Sequence, residues 1–236
     1  MPAADQAIIE SIAPADAARP PLFQLSRQLA HDFSNLWTHI FWLTQQARET
    51  KDLQGREDVL DRLNKGSSIG VLYSRNIMES LANSHAAPQV SDACTAVREW
   101  AAESETLLQG TLAFSCLIPP YPLYIRLPPG ALRLILLSLA SYALRSGEGK
   151  RWAMLGARSA RGEARAKDAA DGADIIFLCQ PGDAYTSMSY SLQQRVKAIG
   201  ATVAPYGGTV QSRALKNVGI SVHIHLPLVP SPSSVG

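Results

Sequence analysis

The sequence predicts an α+β chain in two parts, an antiparallel helical hairpin followed by an α/β sandwich. Three observations carry this. Leu29, Phe33, Leu36, Ile40, Leu43 and Ala47 recur at spacings of 4, 3, 4, 3 and 4, the seam of a long amphipathic helix. A second helical stretch follows across a short break at Gly55. After Pro88 the pattern changes to short strand-like runs alternating with helices, one of them strongly apolar.

The element order justifies each part in turn. Met1 to Pro20 reads as a short lead, with a helical turn around Ile8 to Ile12 and no room for a sensory domain. Pro20-Pro21 opens the first helix, expected over Pro21 to Thr50, because proline's missing N–H has no partner in a first turn. Its frame sets Phe33 and Ile40 at a, and Leu29, Leu36 and Leu43 at d. Extended backwards it gives Leu22 at d and Ser26 at a, with Leu25 beside it at g, a less regular first turn. Lys51 to Arg56 reads as the hairpin turn. The second helix is expected over Glu57 to Ser84, with a weaker stripe of Leu60, Leu63, Ser67, Gly70, Ser74, Ile77 and Leu81. Small residues there let partner helices approach closely, and Gly70 costs some helix propensity. A lone hairpin cannot bury both stripes, whereas two hairpins packed as a four-helix bundle can, so a homodimer is expected.

His85 to Gln89 reads as a linker. Ser91 to Leu108 is an amphipathic helix with Ser91 or Asp92 near its N-cap. Thr111 to Ile118 and Leu123 to Leu127 read as strands, and Pro128-Pro129 opens an apolar helix from Gly130 to Arg145. Arg151 to Arg158 and Ala173 to Gln180 are two more strands, separated by a charged loop from Ser159 to Gly172. A helix over Ser187 to Ile199, ended by Gly200, precedes a closing hairpin of Ala201 to Ser212 and Val218 to Leu226. The units are thus a lead (1–20), a hairpin (21–84), an α+β domain (90–228) and a tail (229–236), the domain having helices on one face of a largely antiparallel sheet.

The bulk numbers exclude several function classes. At 236 residues the chain makes one large or two small domains. Its 46% hydrophobic and 18% charged residues are ordinary for a globular protein. A net charge of +2 carries no nucleic-acid or membrane-surface footprint. No run of about 18 apolar residues exists, so no membrane span is expected. Cys94, Cys116 and Cys179 form no C-x-x-C pair and read as small apolar residues in a reducing cytoplasm. The acidic N-terminus lacks a signal-peptide pattern.

The heptad places His31 at f, facing water, where an imidazole is a nucleophile that a partner can reach. Asp32 is adjacent, and Asn35 lies one turn along the same side. Thr38 and Gln45 also fall at f, Phe41 at b and Trp42 at c. Large apolar residues pointing away from the seam mark a partner surface. Each has a plainer reading: a solvated histidine, a surface acid and amide, aromatics packed on the second domain. His39 at g reads as surface or dimer interface rather than catalytic. His223 and His225 share a strand face but have no third ligand, so a terminal strand is the better reading than a metal site. Gly207-Gly208 and Pro181-Gly182 read as turns, and Ser187 to Ser191 has no adjacent base to activate a serine.

The run His31-Asp32-Phe33-Ser34-Asn35-Leu36 is similar to the H-D-F-N-N-x-L box of one class of two-component histidine kinases. The order of hairpin then α/β domain resembles the same family over about residues 20 to 228. The second half departs from its nucleotide motifs. By alignment with the family's asparagine-bearing helix, Tyr142 stands at the magnesium-holding asparagine and Ser138 at the other. A hydroxyl is a poor substitute for the amide oxygen that Mg²⁺ would take. Gln180 stands where the adenine-reading acid belongs, and Gly182 alone remains of that motif's glycine pair. Thr186 to Ser191 replaces the glycine-rich phosphate cradle, whose glycines let backbone N–H groups converge on an anion.

This combination resembles the dimeric histidine phosphotransferases of bacterial phosphorelays, which keep the hairpin and a decayed ATPase-like domain. The resemblance implies that His31 accepts a phosphoryl group through Nε2 from one receiver-domain aspartate and passes it to another. It implies no cofactor bound by this chain, with Mg²⁺ supplied by the receiver, and response regulator receivers and a second copy as partners. Asp32 would orient or polarise the ring, and Asn35 would hydrogen-bond the phosphoryl group or a water. Ser34 replaces a family asparagine. Ser34, Thr38, Phe41, Trp42 and Gln45 would meet the first helix of a receiver. The competing reading is a degenerate kinase-like scaffold or inhibitor that binds a kinase or regulator without phosphotransfer. An active kinase with an unusual nucleotide site is disfavoured by Tyr142, Ser138 and the lost acid.

Overall fold

The computed structural model describes residues 21–82, 90–108, 111–145, 151–160, 171–180, 190–215 and 218–231. The expected N-terminal lead, the linker at 85–89, the loop at 161–170, Pro181-Gly182 and the segment 186–189 lie outside the described residues.

Helices α1 (Pro21–Glu49) and α2 (Leu53–Ala82) form the hairpin. Its turn is shorter than the expected Lys51 to Arg56. Asp52 caps α2, its Oδ1 accepting from the Gly55 N–H at 2.7 Å, so Gly55 stands inside the first helical turn. Along α1, Leu29, Ile40 and Leu43 are buried and Phe33 and Leu36 half-buried, as the heptad requires. Leu25 is buried and Ser26 exposed, matching the irregular first turn.

The buried face of α2 differs from the expected stripe. Of that stripe Gly70 is buried and Leu63 and Ile77 are half-buried, but Leu60, Ser67 and Ser74 are exposed, and Val59, Gly66, Leu72, Tyr73 and Asn76 are buried in their stead. The glycines explain the rotation. A Cβ on Gly66 would sit 3.2 Å from Ile40 Cγ1, so the seam closes over Gly66 and turns the serines outward. The small residues then line an outward groove of about 460 Å³, flanked by Trp37, Val71 and Met78.

In the second part β1 (Ser91–Asp92) pairs antiparallel with β3 (Tyr124–Ile125). Helix α3 (Ala93–Leu107) starts at the Asp92 cap, whose Oδ1 accepts from the Cys94 and Leu123 N–H groups at 3.0 Å each. The main sheet has the order β2-β4-β5-β7-β6, from β2 (Leu112–Leu117), β4 (Arg151–Ala160), β5 (Gly172–Cys179), β6 (Thr209–Leu215) and β7 (Gly219–Pro227). Among the described strands only β2 and β4 pair in parallel. Alternate residues such as Ile175, Phe177, Val222 and Ile224 are buried beneath α3, α4 (Pro129–Arg145) and α5 (Tyr190–Val203).

Gly200 does not end α5. The helix runs on to Val203 and a 3₁₀ turn, Ala204–Tyr206, and stops at Gly207, whose φ of 74° is left-handed. Gly200 serves close packing instead, since a Cβ there would lie 3.1 Å from Val210 Cγ1. The strand expected from Ala201 accordingly begins only at Thr209.

The hairpin and the sheet domain share one hydrophobic core, in which Leu25, Leu29, Leu72 and Tyr73 join Trp100 and the α4 leucines. Fully buried Asn76 accepts from Trp100 Nε1 at 3.1 Å and donates to Leu72 O at 2.8 Å. Ser80 Oγ donates to Gly130 O at 2.9 Å. Arg133 of α4 pairs with Glu79 of α2 at 2.8 Å and with Glu103 of α3 at 3.1 Å.

Candidate functional site

His31 stands on the open side of α1 with its side chain 72% exposed. Its Nδ1 lies 3.2 Å from Asn35 Nδ2, one turn on. The tautomer decides what this contact does. With Nδ2 donating, the ring proton sits on Nε2. With the amide turned over, Oδ1 accepts from Nδ1–H and leaves the Nε2 lone pair free for attack.

Asp32 does not share that open surface. Its side chain is 5% exposed and points into the domain junction. Oδ1 is 3.9 Å from His31 Nδ1, beyond hydrogen-bond reach. Oδ2 accepts from Arg195 Nη2 at 2.5 Å and from Ser141 Oγ at 2.9 Å. Arg195 itself is 3% exposed, and its Nη1 donates to Ser138 O at 2.9 Å and Ser138 Oγ at 3.1 Å. A charge pair this deep is tolerable only because both partners are hydrogen-bonded further. Arg195 lies 163 residues from Asp32 and escapes sequence reasoning, although one signal pointed to it. It interrupts the apolar face of α5 between Leu192 and Ile199, where a cation needs a buried anion.

The same cluster decides what the α4 face holds. Ser138, at one of the aligned asparagine positions, is fully buried and bonded to Arg195. Tyr142, at the other, is also buried. Gln180, at the position of the acid, is exposed and accepts from Trp152 Nε1 at 2.7 Å.

Around His31, Ser34 and Thr38 are exposed, with Thr38 Oγ1 donating to Ser34 O at 3.0 Å. Phe41 and Trp42 are 58% and 65% exposed and touch each other edge to face, so neither packs on the sheet domain. Gln45 is half-buried. His39 is exposed and lines, with Asn35, Arg62 and Lys65, a cavity of about 380 Å³ floored by Leu36 and Tyr73. His223 and His225 sit far off on β7; His225 Nδ1 is 2.8 Å from Asp174, which Arg158 also meets at 3.2 Å. No group of three metal-ligating side chains occurs among the described residues.

The fold, a helical hairpin followed by an α/β domain, is one that the chain shares with solved structures of low sequence identity. The chain is similar in structure to a bacterial phosphotransferase, at 11% identity over 88% of this chain and 96% of that one, with a TM-score of 0.51. It is also similar to the Acinetobacter baumannii histidine kinase AdeS, at 12% identity over 85% of this chain and 98% of that one, with a TM-score of 0.45. The ATP-binding domain of PrrB from Mycobacterium tuberculosis matches at 18% identity over 60% of this chain and 97% of that one, with a TM-score of 0.42. No protein-family model matches the chain, and no curated protein matches it. Among the described residues no helix is long and apolar enough to cross a membrane.

Proposed function

We propose that the protein is a histidine phosphotransferase of a two-component phosphorelay, carrying a phosphoryl group between receiver-domain aspartates on His31. The observation that carries the reading is an imidazole 72% exposed on a helix fixed from behind by a buried ion pair. In the transfer, the Nε2 lone pair attacks phosphorus in line as the bond to the aspartyl oxygen breaks, releasing the carboxylate. The ring proton stays on Nδ1, held by Asn35 once its amide is turned so that Oδ1 faces the ring. The receiver contributes its own acids and Mg²⁺, so this chain supplies the nucleophile and its placement.

The α4 face supports a receiver rather than ATP as the donor. The hydroxyl of Ser138, at one aligned asparagine position, is engaged by Arg195, and Tyr142, at the other, is buried. Phe41 and Trp42, exposed on the hairpin, suit a receiver's helix. The outward groove of Gly70, Val71, Ser74 and Met78 suits a second hairpin, closing a four-helix bundle. The reading places the protein in the cytoplasm with its regulators.

The test is to follow labelled phosphate on wild type and His31→Ala, with ATP alone and with a phosphorylated receiver. Label reaching wild type only from the receiver, and never His31→Ala, is the expected result. Label from ATP alone would make the chain a kinase. No label from any of several receivers, with retained binding to one, would make it a scaffold.

A further inference from the structure

We infer that Arg195 is a positioning residue for His31 and that Asp32 works as the anchor it grips, not as a base on the imidazole; this rests on the phosphotransfer reading above. The hydrogen bonds decide the roles. Asp32 Oδ2 accepts from Arg195 and Ser141, and Oδ1 lies 3.9 Å from His31 Nδ1, beyond hydrogen-bond reach. A carboxylate that orients a ring must accept its N–H at about 2.7–3.2 Å. Asn35 stands nearer the ring than Asp32 does.

What Asp32 does instead follows from helix geometry. Successive residues on a helix are about 100° apart, so fixing the direction of Asp32 fixes that of His31 beside it. Arg195 grips Asp32 with Nη2 and the α4 backbone with Nη1, so the guanidinium ties α1 to both α4 and α5 at the very turn that carries the nucleophile. A rotation of α1 by about 10° moves a group about 6 Å from its axis by about 1 Å. Misplacement of about 1 Å costs an in-line transfer on the order of 100-fold. Lysine cannot replace the planar fork, because one ammonium does not reach Asp32 and Ser138 in the same fixed plane.

Four variants of the full chain test this, with stability checked by thermal melting and transfer measured from a phosphorylated receiver. Arg195→Met leaves Asp32 buried and uncompensated; the expected result is a loss of roughly 10- to 100-fold in the rate at saturating receiver, with receiver KM within about threefold. Arg195→Lys should recover only part of that loss. Asp32→Leu leaves Arg195 stranded and should fall as far. Asp32→Asn keeps an oxygen that can accept from Arg195 Nη2 but has no carboxylate to serve the ring, and should keep the rate within about threefold of wild type. A folded Asp32→Asn as slow as Asp32→Leu would overturn the proposal, because the carboxylate itself would then be needed at the ring. An Arg195→Met rate equal to wild type would also overturn it. Wild type that takes no phosphate from any receiver removes the phosphotransfer reading and the positioning role together.

Discussion

Replacing Asn76 with alanine tests the joint between the hairpin and the sheet domain. Asn76 is fully buried, and its Oδ1 is the acceptor for the indole N–H of Trp100, itself fully buried. Alanine strands that donor in the core at a cost of about 1–3 kcal/mol. The vacated amide leaves a small cavity worth about 1 kcal/mol more. The sum, about 2–4 kcal/mol, should lower Tm by about 5–15 °C in a chain of this size. Equilibrium urea unfolding is the assay, followed by tryptophan fluorescence and by far-UV circular dichroism. Because both parts share one core, wild type should give a single transition with coincident probes. Exposed Asn64 on the same helix provides the control, and Asn64→Ala should stay within about 0.5 kcal/mol. An Asn76→Ala change smaller than that control, or a wild-type hairpin that melts before the sheet, would refute the reasoning.

Other predictions address the site and its surroundings. Asn35→Ala should slow transfer to His31 by about tenfold while leaving stability within about 0.5 kcal/mol, read by receiver-to-His31 transfer and by melting. One thiol per native chain, Cys116, should react with a thiol-specific reagent, and all three after denaturation; burial pushes the Cys179 thiol up to about 12 and keeps it inert. Burial, with help from Glu105, also raises the Cys116 thiol, so its labelling should speed up as pH rises through and past 9.0. Burial lowers the His223 imidazole below its ordinary 6.5, so the unfolded chain takes up that proton first. Its contribution is therefore fully present above 6.5 and declines as pH falls through that value, a slope that His223→Gln should flatten in urea titrations across pH.

How much of this was legible depended on which forces were local. The α1 seam could be read because a heptad repeats regularly, and Leu29, Ile40 and Leu43 are buried where it puts them. The α3 cap was readable to within one residue, Ser91 or Asp92, and the structure uses Asp92. The orientation of α2 was not, since spacing alone does not say whether a small residue faces a neighbour or a void. Gly66 faces Ile40, and Ser67 and Ser74 therefore face out. Gly200 misled because a glycine in a helix is ambiguous between a stop and a close approach, and here the left-handed residue is Gly207. At the site, the exposure of His31 was readable from its frame. The inward turn of Asp32 was not, because a two-helix frame has no third layer. Asp32 lies at the position that meets α4 and α5, and its partner Arg195 is brought there only by the fold.

The fixed placement of α1 has a kinetic consequence. An imidazole on one face of an immobile post admits one visitor at a time. If donor and acceptor regulators dock on the same aromatic pair, Phe41 and Trp42, each must leave before the other arrives. Exchange would then follow a ping-pong order, with double-reciprocal plots of rate against each regulator running parallel. Excess unphosphorylated donor would slow the flow by occupying the post, so throughput would be governed by how quickly a spent client departs rather than by any swing of the second domain.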